Sequence, residues 1–242
     1  ALHVAAADGM PHAHRGGDRD PQGHHEGQRT QVHGHLVPRH LVGPQPAHHK
    51  GIDIPAPEGE PILAVADGTL IAVFENRSNP KGIEVVLRHA PEDSNLPFWT
   101  YSQYTHLLAL PDLALGARVT VGSEIGKTSN TGLSGKAVRQ RNTGSSGGSK
   151  HSRSKVRRPA LHFAIFYTED PGYAIEAHGV IPVNGRYMDP NAFYREQGPY
   201  DSQSMQRLPD ADKAVAVPYL DQDGHLIPSG SRRIWPYRCQ RY

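Results

Sequence analysis

The sequence predicts a mainly β protein, an antiparallel sheet with long loops and little helix, and two observations carry that reading. The first is composition: 25 Gly and 21 Pro in 242 residues, with aromatic residues at 7%, favour a loop-rich, strand-built chain that includes some unfolded sequence. The second is pattern. From Ile52 onward, short runs that alternate or stay apolar are separated by Gly, Pro and Asn, which is the spacing of strands joined by turns. A chain of this length holds one sizeable domain with appendages rather than two full cores.

The elements follow in order. Residues 1–46 are rich in His, Gly, Pro, Arg and Gln, with His12-Ala13-His14, His24-His25 and His33-Gly34-His35 among them. Such a tract suits loose metal binding, but it is too poor in apolar residues to bury a core and is read as a disordered extension. Residues 47–195 are expected to form the domain. Within it, residues 61–66 and 69–75 read as strands with Asp67-Gly68 as a hairpin turn between them. Residues 82–88 follow the turn signal Asn79-Pro80-Lys81-Gly82. Residues 98–107 read as a strand carrying His106 at its end, 117–121 and 124–128 as a pair around Gly122, and 161–167 as a buried strand.

The stretch 133–158 interrupts this pattern. Gly144-Ser145-Ser146-Gly147-Gly148-Ser149 reads as flexible linker, and around it lie eight Lys and Arg residues without one acid. A loop of this kind attracts polyanions by screened Coulomb forces. It lacks the interleaved aromatics that nucleic-acid binding calls for, so a solvated surface loop is the reading kept and no specific nucleic acid is expected. Residues 191–195 read as a short helix or exit turn. Residues 196–242 form a polar, proline-punctuated extension whose Trp235-Pro236-Tyr237 is expected to cap the core.

Charge and composition exclude some classes. A net charge of +2 and a pI near 8.7 give no steer towards nucleic acid. No apolar run approaches the roughly 20 residues that span a bilayer, so no transmembrane segment is expected. No charged-then-apolar leader is visible at Ala1. Cys239 is the single cysteine and cannot make an internal disulfide.

The chemistry sits in His48-His49-Lys50-Gly51-Ile52-Asp53 and, far downstream, Ala160-Leu161-His162-Phe163. His49, Asp53 and His162 are two imidazoles and a carboxylate. That donor set matches a catalytic zinc site, in which the protein supplies three ligands and leaves a position to water. A structural zinc site is normally closed by four ligands, usually including cysteines. Gly51 permits a tight turn between the first two donors. His89, His151, His178 and His225 match no pattern and are read as ordinary polar residues. Asp67, Asp93 and Asp112 stand in turn-like contexts that need no catalytic role.

These residues resemble a known family. From about residue 46 to 193 the chain is similar to the lysostaphin-type, or LytM-domain, zinc metallopeptidases that cut peptide bonds in bacterial cell walls. The resemblance rests on His49-Lys50-Gly51-Ile52-Asp53, on residues 58–70, on Tyr104-Thr105-His106-Leu107, on the glycine-spaced residues 122–132 and on Leu161-His162-Phe163. Asp189-Pro190 resembles the family's closing turn, and 133–158 is an insertion relative to it.

The resemblance implies a duplicated-hybrid-motif-like β fold with one zinc ion on a groove floor, held by His49, Asp53 and His162. His106 would orient the zinc-activated water or stabilise the developing oxyanion. The substrate would be peptidoglycan peptides, cross-links or stem peptides, and the location extracytoplasmic, periplasmic or secreted. One departure stands out: Ala160 occupies the position of a usual active-site histidine, and a methyl group neither takes nor gives a proton. The competing reading is therefore a catalytically impaired module of the same fold that activates or targets another cell-wall hydrolase.

Overall fold

The computed structural model describes residues 51–76, 80–132, 158–177 and 179–240. The His-rich tract, His49 and the basic stretch 133–157 lie outside them. The main sheet has seven strands. They are β1 (Ile52–Pro55), β3 (Gly68–Asn76), β4 (Gly82–His89), β5 (Trp99–Thr105), β6 (Arg118–Val119), β8 (Ala160–Thr168) and β11 (Arg186–Met188), in the order β1-β8-β5-β4-β3-β6. β8 has β5 along one side, while β1 and β11 share its other side, β1 against Ala160 to Phe163 and β11 against Ile165 to Tyr167. Every pairing in this sheet is antiparallel, and among the described residues the strand order is open, with β1 and β6 at its two ends. The fold is mainly antiparallel β, as the sequence predicts.

β8 is central because its sequence, Ala-Leu-His-Phe-Ala-Ile-Phe-Tyr-Thr, is apolar on both faces, which suits a strand covered on two sides. Its Leu161, Phe163 and Ile165 enter the main core with Ile83, Val85, Leu87 and Tyr104. Phe166, on the opposite face, packs with Val86, Tyr101 and Ala72. The hairpin of β9 (Tyr173–Glu176) and β10 (Gly179–Pro182) covers that second face through Tyr173 and Val180. Arg88 lies 3.8 Å over the Trp99 ring there, a cation–π contact that closes the cluster's rim.

Two expected pairings differ. Asp67-Gly68 does not turn a hairpin, because β2 (Pro61–Leu63) pairs with β7 (Glu124–Lys127) rather than with β3. For the same reason residues 117–121 and 124–128 are not partners: β6 pairs with β3. Asp67 instead accepts the Val121 N–H at 2.7 Å, which ties the two sheets together where a hairpin turn is expected. Asp93 holds Arg118 bidentately at 2.7 and 2.9 Å and accepts the Ala90 N–H, so it caps α1 (Pro91–Ser94).

His89 also departs from expectation. It is fully buried, with Nδ1 2.6 Å from the Asp67 carbonyl and Nε2 2.7 Å from Ser102 Oγ. Burial pushes its pKa down to about 4, so it is a neutral core residue at pH 7.

Residues 196–240 dock on the sheet. They include α2 (Ser202–Gln206), capped by Asp201 through the Ser204 N–H, α3 (Asp210–Lys213), β12 (Tyr219–Asp221), β13 (Leu226–Ile227) and β14 (Arg238–Cys239). β12 pairs antiparallel with β13 and parallel with β14. Leu220 and Ile234 pack on Leu63, and buried side chains of this size contribute about 1.5–3 kcal/mol each, so the segment is held by apolar burial as well as polar bonds. Tyr237 Oη meets Thr128 Oγ1 at 2.7 Å. Asp221, Asp223 and His225 bring donor atoms within 4.8 Å of one another, but Asp221 Oδ1 accepts the N–H groups of both Asp223 and His225, which makes the group a side-chain-closed turn. Among the described residues no helix is long and apolar enough to cross a membrane.

Candidate active site

The register of the sheet places the candidate residues. Asp53 on β1 lies directly opposite His162 on β8, His162 opposite Thr105 on β5, and Thr105 opposite Glu84 on β4. Directly opposite residues in antiparallel strands share a face, so Asp53, His162, Thr105 and Glu84 form one row across the sheet. His162 Nδ1 and Asp53 Oδ1 are 2.7 Å apart, with the His162 side chain 23% and the Asp53 side chain 51% exposed. His106 follows Thr105, and its ring centroid is 6.2 Å from that of His162 at an interplanar angle of 62°. The structure therefore gathers Asp53, His162 and His106. His49 lies outside the described residues.

Gly51 contributes by what it lacks. Its φ is +131°, and a Cβ there would stand 2.5 Å from the Phe163 carbonyl oxygen and 3.0 Å from His162 Nε2. Glycine alone lets β1 approach β8 closely enough for Asp53 to meet His162. The Nε2 edge of His162 lies against Gly51, and Nδ1 is the nitrogen turned to the carboxylate.

His106 is buried, 4% exposed, and adopts φ 70°. The left-handed region costs a non-glycine residue about 1–2 kcal/mol, and such strain persists where surrounding contacts over-determine it. Here its N–H donates to the Lys81 carbonyl at 3.0 Å, and its Nδ1 donates to the Thr131 carbonyl at 2.9 Å.

One further residue at this face, Glu84, went unremarked in the sequence. Glu84 is 1% exposed, about 10 Å from His162 at two strand spacings. Lys81 Nζ lies 3.0 Å from its Oε2, and Gln103 Nε2 donates to its Oε1 at 2.5 Å. Burial raises its pKa, and Lys81 and Gln103 oppose that rise. The available signal was a single acid inside the apolar run Ile83-Glu84-Val85-Val86-Leu87. Ala160, two residues before His162 on the same strand, is buried opposite Pro55, with its N–H on the Ser129 carbonyl at 3.2 Å.

The donors can be tested against the zinc that the sequence implies. A carboxylate oxygen and an imidazole nitrogen are suitable zinc donors. Tetrahedral zinc with bonds of about 2.0 Å sets two ligand atoms about 3.3 Å apart. Asp53 Oδ1 and His162 Nδ1 approach within 2.7 Å, so a shift of about half an ångström, small for a partly exposed pair, fits that spacing. The donor set fits.

A cleft of about 350 Å³ opens elsewhere, between residues 108–113 and β7, lined by Leu108, Leu110, Leu113 and Ile125. None of the candidate site residues lines it.

The chain belongs to peptidase family M23, whose model matches residues 47–173, just over half its length. Among solved structures it is similar to the catalytic domain of the A109H mutant of prophage-encoded M23 protein EnpA from Enterococcus faecalis, with 22% identity over 51% of this chain and 71% of that one and a TM-score of 0.34. It is similar to LytU, at 19% identity over 69% and 79% with a TM-score of 0.38. It is similar also to the catalytic domain of the antimicrobial peptidase lysostaphin from Staphylococcus simulans, at 19% over 57% and 81% with a TM-score of 0.36. None of the curated proteins matches the chain.

Proposed function

We propose that this protein is a zinc-dependent metalloendopeptidase that hydrolyses peptide bonds of peptidoglycan outside the cytoplasm, in the periplasm or after secretion. The observation that carries the reading is the partly exposed Asp53–His162 pair at 2.7 Å, with a second imidazole, His106, 6.2 Å from His162 between ring centres. Asp53 and His162 would hold one zinc ion, with His49 as the third ligand. Zinc, when bound, supplies Lewis acidity to the scissile carbonyl and brings the pKa of a water towards neutrality.

The chain's own residues do the rest. Ala160 offers no proton acceptor, so the acid–base work falls to His106. Its Nδ1 is bonded to a carbonyl, and in the neutral ring Nε2 is the nitrogen that accepts a proton. The same imidazole, once protonated, stabilises a developing oxyanion or returns the proton to the leaving amine. Glu84 and Lys81 pair at 3.0 Å on the same face, and His162 is held between Asp53 on one edge and Gly51 on the other.

Mass spectrometry of the soluble fragments released from purified peptidoglycan by the full chain tests the substrate and bond. Fragments with new peptide amino termini and intact glycan are expected. Cleaved glycan, or no release at all, would overturn the reading.

A further inference from the structure

The three segments that meet behind His106 share one residue, Thr131. Its carbonyl receives the His106 Nδ1–H at 2.9 Å. Its hydroxyl donates to the Leu107 carbonyl at 2.8 Å and accepts the Ile83 N–H at 3.3 Å. The turn before β4 closes the arrangement, with the His106 N–H on the Lys81 carbonyl and the Leu107 N–H on the Ile83 carbonyl. Thr131 thus bonds the residue after His106, the strand that follows the Lys81 turn, and the imidazole itself.

The packing leaves no slack. Gly82 has φ +68°, and a Cβ there would lie 2.5 Å from both the carbonyl carbon and Oγ1 of Thr131, so Thr131 rests directly on the backbone of that turn. A carbonyl oxygen can only accept, so the nitrogen facing it must carry the proton. Thr131 therefore sets the tautomer of His106 as well as its orientation, with Nδ1 protonated and Nε2 basic. The part of the partner that orients a catalytic histidine falls here to a main-chain carbonyl, itself fixed by its own side chain.

We propose that Thr131 is a positioning residue for the reaction: through its hydroxyl it clamps the 82–83 and 106–107 segments, and through its carbonyl it holds His106 as the Nδ1–H tautomer. This rests on the peptidase reading for its catalytic consequence, while the tautomer can be read without any reaction.

The test uses the full chain and two variants. Thr131→Val keeps the shape and removes the hydroxyl, and Thr131→Ser restores it. Nitrogen-15 NMR of the histidine rings at about pH 8, where an ordinary imidazole is neutral, reports which nitrogen carries the proton. The His106 signals are identified by their loss in His106→Gln. The parent and Thr131→Ser are expected to show the Nδ1–H pattern, and Thr131→Val a mixture or the Nε2–H form. In peptidoglycan hydrolysis, kcat of Thr131→Val should fall about tenfold to a hundredfold with KM and zinc content little changed, since an interaction serving the chemical step is lost. Thr131→Ser should stay within about threefold of the parent, a rescue that a merely space-filling role would not require.

Thr131→Val with the parent's tautomer and the parent's kcat would overturn the inference. Should that variant not fold, the parent decides alone, because a His106 ring carrying its proton on Nε2 excludes the clamp. A parent that shows the Nδ1–H form yet cuts no peptidoglycan supports the clamp and overturns the peptidase reading.

Discussion

His162→Ala loses its zinc and its hydrolysis together, and Asp53→Ala does the same. His162 Nδ1 and Asp53 Oδ1 face each other at 2.7 Å across the β1–β8 ladder, so removing either leaves at most two of the three proposed ligands. Catalytic zinc sites rely on three protein ligands. Metal content, measured after dialysis, should drop from about one zinc per chain to a small fraction, and release of peptide amines from peptidoglycan should fall to background. The fold should survive in both variants. Asp53 is half exposed, and the core beneath it is built by Leu161, Phe163 and Ile165. Near-parent thermal unfolding in the presence of a chelator would separate loss of metal from loss of structure. Either variant holding stoichiometric zinc would contradict the ligand assignment.

His106→Gln produces the complementary result: zinc stays and the rate falls. The residue is not proposed as a ligand, and its Nδ1 and backbone N–H bond the carbonyls of Thr131 and Lys81. Loss of a single acid–base or oxyanion-stabilising group costs about 10² to 10³ in kcat. With Ala160 at the position where the resemblance to the family expects a second imidazole, no side chain there is proposed to share the work, so the upper part of that range is expected. Equal metal content in parent and variant, with kcat reduced a hundredfold or more and KM nearly constant, is the signature of a group acting in the transition state. A variant as fast as the parent would remove His106 from the mechanism.

How much of this could be read from the sequence depends on the kind of information each element carries. The strands were legible because their side chains announce them. Leu161-His162-Phe163-Ala164-Ile165-Phe166-Tyr167 is apolar on both faces and becomes the middle strand β8. The pairing was less legible. Alternation marks a strand but not its partner, so residues 61–63 and 124–127 looked local and instead pair across sixty residues of chain, a choice made by tertiary packing.

The site divides in the same way. Asp53 and His162 stand out by residue type and spacing. That they sit opposite each other follows from a register only the folded sheet defines. The αL conformation of His106 had no sequence signal, since histidine carries no general preference for it as glycine does. Glu84 went unremarked, and His89 was read as an ordinary polar residue, for one physical reason. A charged or polar residue inside an apolar strand is tolerated when neighbours satisfy it, and Lys81, Gln103, Asp67 and Ser102 come from other positions in the chain. Thr131 looked like one residue of a glycine-spaced turn, and only the contacts with Ile83, His106 and Leu107 mark it out.

The central claim is that the sheet face carrying Asp53, His162 and His106 is a working zinc site despite Ala160. It is tested most directly by following amine release from purified peptidoglycan by the full chain, before chelation, after chelation, and after zinc is restored to the chelated sample. The account predicts steady release, its loss on chelation, and its return with one equivalent of zinc. Release that continues unchanged in the metal-free protein, or a zinc-loaded protein that releases nothing, would contradict it.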